Sequence, residues 1–382
     1  MQYRKFGKQR FDVSILGFGC MRLPLLPGTN GEAPDPCKID EAEAIRMIRY
    51  AIDNGVNYID TAYPYHGGNS EPVVGKALRD GYRERVKLAT KLPVWLLKTE
   101  EDFDRYLSEQ LEKLQTDHID VYLLHALGKE RWNIVKELNV LSSLQKAIDS
   151  GKVRHAAFSF HEDIDFFRTI LDSFDWGMCQ IMYNYMEDRK WEEHMKYAHD
   201  KGIAIAIMEP LLGGKLANVP PQAVAKVWKE SGIDRSPAAW AFKWLYNYPE
   251  ITLALSGMST MPQVTENLEI ADSSKAGVLS AGELAAVDRA REVYNNLTRV
   301  KCTGCRYCVP CPSNVSIPEI FSCYNEAGAY NVQRASEESY KRMKETGKDA
   351  SLCVECGRCE AACPQKLPII KHLKEAHLSL NV

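Results

Sequence analysis

Apolar and polar positions along this chain fall into two alternating patterns. Short runs that are apolar throughout and rich in β-branched residues recur at Val13–Phe18, Val56–Ile59, Val86–Thr90, Ile119–Leu124, Val153–Phe158, Met178–Tyr183, Ile203–Met208 and Thr252–Ser256. Strands buried on both faces read this way. Between them lie stretches with apolar residues at helical spacing. Asp40–Asn54 carries Ala44, Ile45, Ile48, Ala51 and Ile52 on one face, and Glu101–Leu114 carries Phe103, Leu107, Leu111 and Leu114. Asn139–Asp149, Asp163–Leu171, Trp191–Lys201 and Ser236–Tyr246 follow the same rule. Strand and helix alternating over roughly 250 residues predicts an α/β fold, the parallel (β/α)8 TIM barrel. Tyr3–Phe6 and Phe11–Val13, joined through Gly7-Lys8, read as a hairpin closing the barrel bottom. The alternative, a doubly wound open sheet, wants G-x-G-x-x-G after the first strand. Gly17-Phe18-Gly19-Cys20-Met21-Arg22 offers only its first half.

The pattern changes after Ala281–Asn295, a further predicted helix. Residues 299–382 are expected to form a mostly α-helical ferredoxin-like domain, separate from a barrel over residues 1–298. Two cysteine runs carry that reading. Cys302, Cys305, Cys308 and Cys311 precede Pro312, and Cys353, Cys356, Cys359 and Cys363 precede Pro364. The second run is C-x2-C-x2-C-x3-C-P, the bacterial pattern whose fourth cysteine ligates the other cluster. The first is one residue short in its last gap, which leaves open whether Cys311 ligates. Zinc is the rival ligand, but it usually takes two pairs closing one tetrahedron. Two [4Fe-4S] clusters suit two runs of four. Crossover would sort Cys302, Cys305, Cys308 and Cys363 onto one and Cys353, Cys356, Cys359 and Cys311 onto the other. Helix-prone sequence such as Glu337–Lys348 lies between the runs.

Composition narrows the partners. A net charge of -3 argues against nucleic acid and anionic membrane. No apolar run approaches the ~20 residues of a membrane helix. Met1-Gln2-Tyr3-Arg4-Lys5 begins no apolar signal segment, so a cytoplasmic protein is expected. Cys20, Cys37, Cys179 and Cys323 read as reduced thiols.

In a parallel barrel the working residues sit at the C-terminal strand ends. Those ends supply Asp60, Lys91 and His125, with Tyr65 in the loop after the second strand. An ammonium near a phenol favours its ionised form, an acid group fixes the ammonium, and an imidazole can orient a carbonyl oxygen. Together they can protonate an alkoxide as hydride reaches carbon. His66 and His161 lie at the predicted mouth. Tyr183, Trp132, Trp191 and Trp228 are expected to pack.

This set and its flanks resemble the aldo/keto reductase superfamily. The resemblance runs through Leu16–Leu23, Gly55–Ala62, Ser70-Glu71, Gly75, Thr90-Lys91, Leu124-His125, Phe158-Ser159, Gln180–Asn184, Pro210-Leu211 and Gln263–Asn267. With the cysteine-rich tail it is similar to the iron–sulfur branch of that family. The resemblance implies NADP or NAD as cofactor and a small carbonyl substrate. Tyr65 would donate the proton, Lys91 and Asp60 would tune it, and His125 would position the substrate. Gly19, Met21 and Arg22 would lie near the nicotinamide, with Ser159 and Gln180 on its carboxamide. Pro210, Leu211, Gly213 and Lys215 would follow the pyrophosphate. Gly257, Gln263, Glu266 and Asn267 would hold the adenosine. Two departures stand out. Met208 occupies the position where the family usually stacks an aromatic residue on the nicotinamide. Met258-Ser259-Thr260-Met261 offers no cation to a 2′-phosphate.

A nicotinamide moves electron pairs and a cluster moves single electrons; a flavin can exchange with both. Three readings follow. The barrel is a nicotinamide-dependent reductase whose clusters are structural or sensing. Or it holds a flavin wired by the clusters to a ferredoxin-like donor. Or it is idle and the chain only transfers electrons or senses redox state, which the intact set of four argues against.

Overall fold

The computed structural model describes residues 1–28 and 34–381. The chain divides into two compact units, Met1–Leu212 with Ala241–Leu279, and Gly213–Trp240 with Ser280–Val382.

The first unit is built on a closed parallel barrel of eight strands, β3 (Leu16–Gly19), β4 (Tyr58–Asp60), β5 (Lys87–Leu92), β6 (Ile119–Leu127), β7 (Val153–Phe160), β8 (Met178–Met182), β9 (Ala204–Met208) and β10 (Leu253–Ser256). Strands pair in chain order, and β10 closes the ring on β3, with Leu255 opposite Gly17. Ahead of the barrel, β1 (Tyr3–Lys5) and β2 (Asp12–Ser14) form an antiparallel hairpin. Its Phe6 and Val13 join Tyr58, Ala89, Val121 and Met178 in one buried cluster, so apolar side chains fill the barrel interior.

The run Val13–Phe18, expected as one strand, is two strands in two sheets. The chain bends at Ile15, whose N–H donates to Gln2 O, and the Ser14 hydroxyl donates to Leu16 O at 2.7 Å. A local hydroxyl bond of this kind competes with a continuous ladder. The helix Glu41–Asp53 buries Met47 where Ile45 was expected, and Ile45 lies at the edge of the stripe. The helix Asp102–Leu114 likewise turns Gln110 inward and leaves Leu111 at its margin. Strand β6 runs past His125, with an irregularity in its pairing to β7 between Leu124 and Leu127. Ala126 there has φ +54°, the left-handed region, which costs a non-glycine residue roughly 1–2 kcal/mol.

The second unit is helical. Ser280 and Glu283 form a reciprocal capping box that starts the helix Ala281–Asn296. The helices Ile317–Ala329 and Ile369–Leu380 meet through Ile320, Phe321, Leu373 and Ala376, joined by Tyr340 of the helix Gln333–Glu345. No helix among the described residues is long and apolar enough to cross a membrane.

Candidate active site

Four of the side chains named from sequence meet at the C-terminal end of the barrel. Asp60 ends β4, and Lys91 lies one residue before the end of β5, with adjacent strands in register. The Lys91 ammonium is fully buried. It donates to Asp60 Oδ1 at 2.6 Å, to Thr61 O at 2.8 Å and to Tyr65 Oη at 3.3 Å. It also stands over the Tyr65 ring, 4.9 Å from its centroid. A buried charge is tolerable only when paired and hydrogen-bonded in this way. His125 faces Tyr65 edge to face at 6.1 Å between ring centroids.

Electrostatics gives these groups distinct protonation states. Burial works against the Lys91 charge, but Asp60 and Tyr65 more than offset it, and its pKa stands above the ordinary value. Burial raises the Tyr65 phenol, while Lys91 pulls it down. Lys91 therefore acts in the expected sense, yet burial outweighs it and the phenol keeps its proton. Burial, with the charges of Lys91, His161 and Arg131 behind it, pushes His125 down to about 2, so the imidazole is neutral. Two polar atoms here have no partner among the described residues, Asp60 Oδ2 and His125 Nδ1.

Beside this group, Ser159 and Gln180 stand opposite each other on β7 and β8. The Ser159 oxygen accepts from Ala126 N at 2.7 Å, leaving its own proton to donate. Gln180 is buried; its Nε2 points to Met208 Sδ at 3.5 Å, and its Oε1 has no partner among the described residues. An amide carbonyl buried without a donor is costly, and a carboxamide would supply one. Gly257 follows β10, and the Arg22 stem lies where a Cβ on it would fall, 3.2 Å away. Asn267 donates to Ser256 Oγ at 2.9 Å, and Gln263 accepts from Ser259 N at 2.9 Å. The expected adenosine residues thus tie the helix Met261–Asp272 to the end of β10. Met21 is exposed, and Gly19 ends β3. Gly213 and Lys215 belong to the second unit, where Lys215 pairs with Glu326 at 2.7 Å. His66, expected at the mouth, is committed to backbone: its ring nitrogens meet Leu23 N at 3.1 Å and Pro36 O at 2.7 Å.

The eight cysteines of the two runs line two cavities of the second unit. Cys302, Cys305, Cys308 and Cys363 border one. Cys311, Cys353, Cys356 and Cys359 border the other, to which Cys308 also extends. Each cavity thus takes cysteines from both runs, as the crossover expectation requires.

The sequence profile of the aldo/keto reductase family matches residues 16–292. The chain belongs to the aldo/keto reductase family. The profile of the 4Fe-4S dicluster domain matches residues 301–368, so this reductase carries an iron–sulfur domain after its barrel in the sequence. It is 26% identical over 298 residues to probable aldo-keto reductase 1 of Glycine max, covering 69% of this chain and 82% of that one. To the NADH-specific methylglyoxal reductase of Escherichia coli (strain K12) it is 27% identical over 306 residues, covering 69% and 91%. The holo form of aldo-keto reductase AKR11C1 from Bacillus halodurans superposes with a TM-score of 0.62 at 25% identity, covering 76% of this chain and 96% of that one. An aldo/keto reductase from Klebsiella pneumoniae in complex with NADP and acetate gives 0.59 at 25% identity, covering 74% and 93%.

Sequence reasoning missed the support behind the reductase site. Buried Glu71 accepts from Thr90 Oγ1 at 2.7 Å and from Gln110 Nε2 at 2.6 Å, and Gln110 also donates to Lys91 O at 3.1 Å and accepts from Tyr122 Oη at 2.7 Å. One signal was available: Gln110 is a polar residue inside an apolar helical stripe. Trp95, with its ring 5.1 Å from His125, and Arg131 beyond it carried no such signal.

Proposed function

We propose that this reductase converts a carbonyl to an alcohol, with Tyr65 as proton donor. The observation that carries the reading is the buried Lys91 ammonium, held by Asp60 and Thr61 O and touching the Tyr65 hydroxyl. A nicotinamide bound at the barrel end would supply the hydride. Ser159 and Gln180, whose free donor and orphaned acceptor suit a carboxamide, would hold it there. Gly19, Met21 and Arg22 would flank it, and Met208 would lie against it. Pro210, Leu211, Gly213 and Lys215 would follow the pyrophosphate, and Gly257, Gln263, Glu266 and Asn267 the adenosine.

As negative charge builds on the substrate oxygen, the Tyr65 hydroxyl gives up its proton. Lys91 neutralises the phenolate left behind, and that stabilisation is largest when the charge has formed. His125, being neutral, can donate a hydrogen bond to the same oxygen without competing as an acid. Tyr65→Phe should cut carbonyl reduction about a hundredfold or more with cofactor affinity unchanged. Unchanged turnover would remove Tyr65 from the mechanism.

We place the boundary between the reductase and iron–sulfur domains near residue 298. The two cysteine-lined cavities would hold a [4Fe-4S] cluster each, Cys311 included. Met208 supports a second reading, because an aromatic residue usual beside a nicotinamide is replaced there. In that reading the cysteines of the two cavities would hold clusters able to supply single electrons, and the partner would be a ferredoxin-like donor, with or without a flavin in the barrel. Wild type and Cys356→Ala assayed with a nicotinamide and, separately, with a reduced one-electron donor separate the two. Nicotinamide-driven turnover that survives the substitution supports the plain reductase, and donor-driven turnover that the substitution abolishes with the fold intact supports the wired one.

A further inference from the structure

Beyond His125 the rim of the barrel carries a cation that enters no ion pair among the described residues. Arg131 lies in the first turn of the helix Lys129–Glu137. Its guanidinium stacks over the Trp95 ring at 5.1 Å, and the other neighbour of that ring is His125, also at 5.1 Å. Arg131 Nη1 donates to Ala126 O at 2.6 Å. The Glu162 carboxylate lies over Gly128, at the start of the same helix. A planar fork of five donors with one bond to a carbonyl keeps most of its donors available.

The backbone that fixes this cation is a strained one. Ala126 sits at the irregularity of β6 in the left-handed region. That turn aims its N–H at Ser159 and its carbonyl at Arg131. One residue thus couples the serine expected on the cofactor carboxamide to the arginine at the rim. Strain of this kind persists where the surroundings over-determine it, and it gathers at functional sites.

We propose that Arg131 is the anchor for a carboxylate on the substrate, and that the substrate is a short oxo acid. The carbonyl oxygen would lie between Tyr65 and His125, the intervening carbons along the Trp95 face, and the carboxylate on the guanidinium. Because His125 and Arg131 flank the same indole, only a few carbons separate the two ends. This rests on the reductase reading for the position of the carbonyl; the anion site itself does not need it.

The test compares 4-oxobutanoate with butanal, which differ by the carboxylate. The wild type should favour the oxo acid by about tenfold or more in kcat/KM. Arg131→Met should lose roughly fiftyfold on the oxo acid, mostly in KM, and leave butanal within about threefold. Arg131→Lys should recover part of that loss, keeping the charge without the fork. Succinate titrated calorimetrically into the holoprotein should bind the wild type and fail to bind Arg131→Met. The proposal is overturned if the wild type shows no preference for the oxo acid, or if butanal falls in step with it in Arg131→Met. If neither aldehyde is reduced, the reductase reading fails. The succinate titration then decides the anion site alone, and equal binding by wild type and variant overturns it.

Discussion

Lys91 Nζ lies 2.6 Å from Asp60 Oδ1 and 3.3 Å from the Tyr65 hydroxyl, so a single buried cation serves an acid that fixes it and a phenol that needs it. The two partners make different demands. Asp60 compensates Lys91 at all times, whereas in the proposed mechanism Tyr65 uses its charge only when the phenol ionises. Lys91→Met should lower kcat about a hundredfold or more. It should also destabilise the fold by about 3–5 kcal/mol, because Asp60 is left buried without its partner. Adding Asp60→Asn should restore most of the stability and none of the rate. Denaturant melts read beside turnover check both halves.

The neutral imidazole of His125 sets a pH dependence of stability. An unfolded histidine titrates near 6.5, while the folded one is pushed down to about 2. Below pH 6.5 the unfolded chain takes up a proton that the folded chain refuses, so acid destabilises the fold and the loss continues toward pH 2. Between pH 6.5 and 4.5 this single group should lower unfolding free energy by roughly 2–3 kcal/mol. His125→Gln should show a correspondingly shallower acid limb in chemical denaturation. Above pH 6.5 the two proteins should run parallel.

Behind the strand ends, Gln110 holds a network together with both ends of its amide. Gln110→Leu should leave Glu71 short of a donor and the Tyr122 hydroxyl without its acceptor, costing about 1–3 kcal/mol for each. Glu71→Gln should be much milder, since burial already raises that carboxyl toward its neutral form. Melting temperatures of the two variants decide the ranking, and an equal loss would sink this assignment of Gln110.

Each cysteine-lined cavity takes cysteines from both runs. On the proposal of a [4Fe-4S] cluster in each, Cys363→Ser should lower bound iron from about eight to about four atoms per chain, although it belongs to the second run in sequence. The surviving cluster should be the one beside Cys353. Iron analysis with electron paramagnetic resonance on the reduced protein checks this, and a loss of the Cys353-side signal would contradict the sorting.

Most of the barrel was legible because its strands are buried on both faces and its helices on one, which writes two separable periods into the chain. The failures came where one side chain redirected the backbone. Ser14 and Ile15 split an unbroken apolar run between two sheets, and Ala126 carries a conformation that alanine does not advertise. The proposed catalytic residues were legible from their positions at strand ends and, for Tyr65, in the loop that follows one. Arg131 was not, because its significance lies in an ion pair it does not make among the described residues, and a sequence does not list unmade ion pairs. Gln110 shows the intermediate case, a polar residue on an apolar face whose reason appears only once Glu71 and Tyr122 stand beside it.

The proposed exchange of Cys311 and Cys363 between runs also bears on how much of this protein a cell can hold. With a cluster in each cavity, the segment carrying the helices Ile317–Ala329 and Gln333–Glu345 is fastened by metal at both its ends. Such fastening restricts the unfolded chain as a cross-link does. Starved of iron, that segment would be released and offered to proteases. The level of the enzyme would then follow the supply of the metal before any regulator of its synthesis had acted.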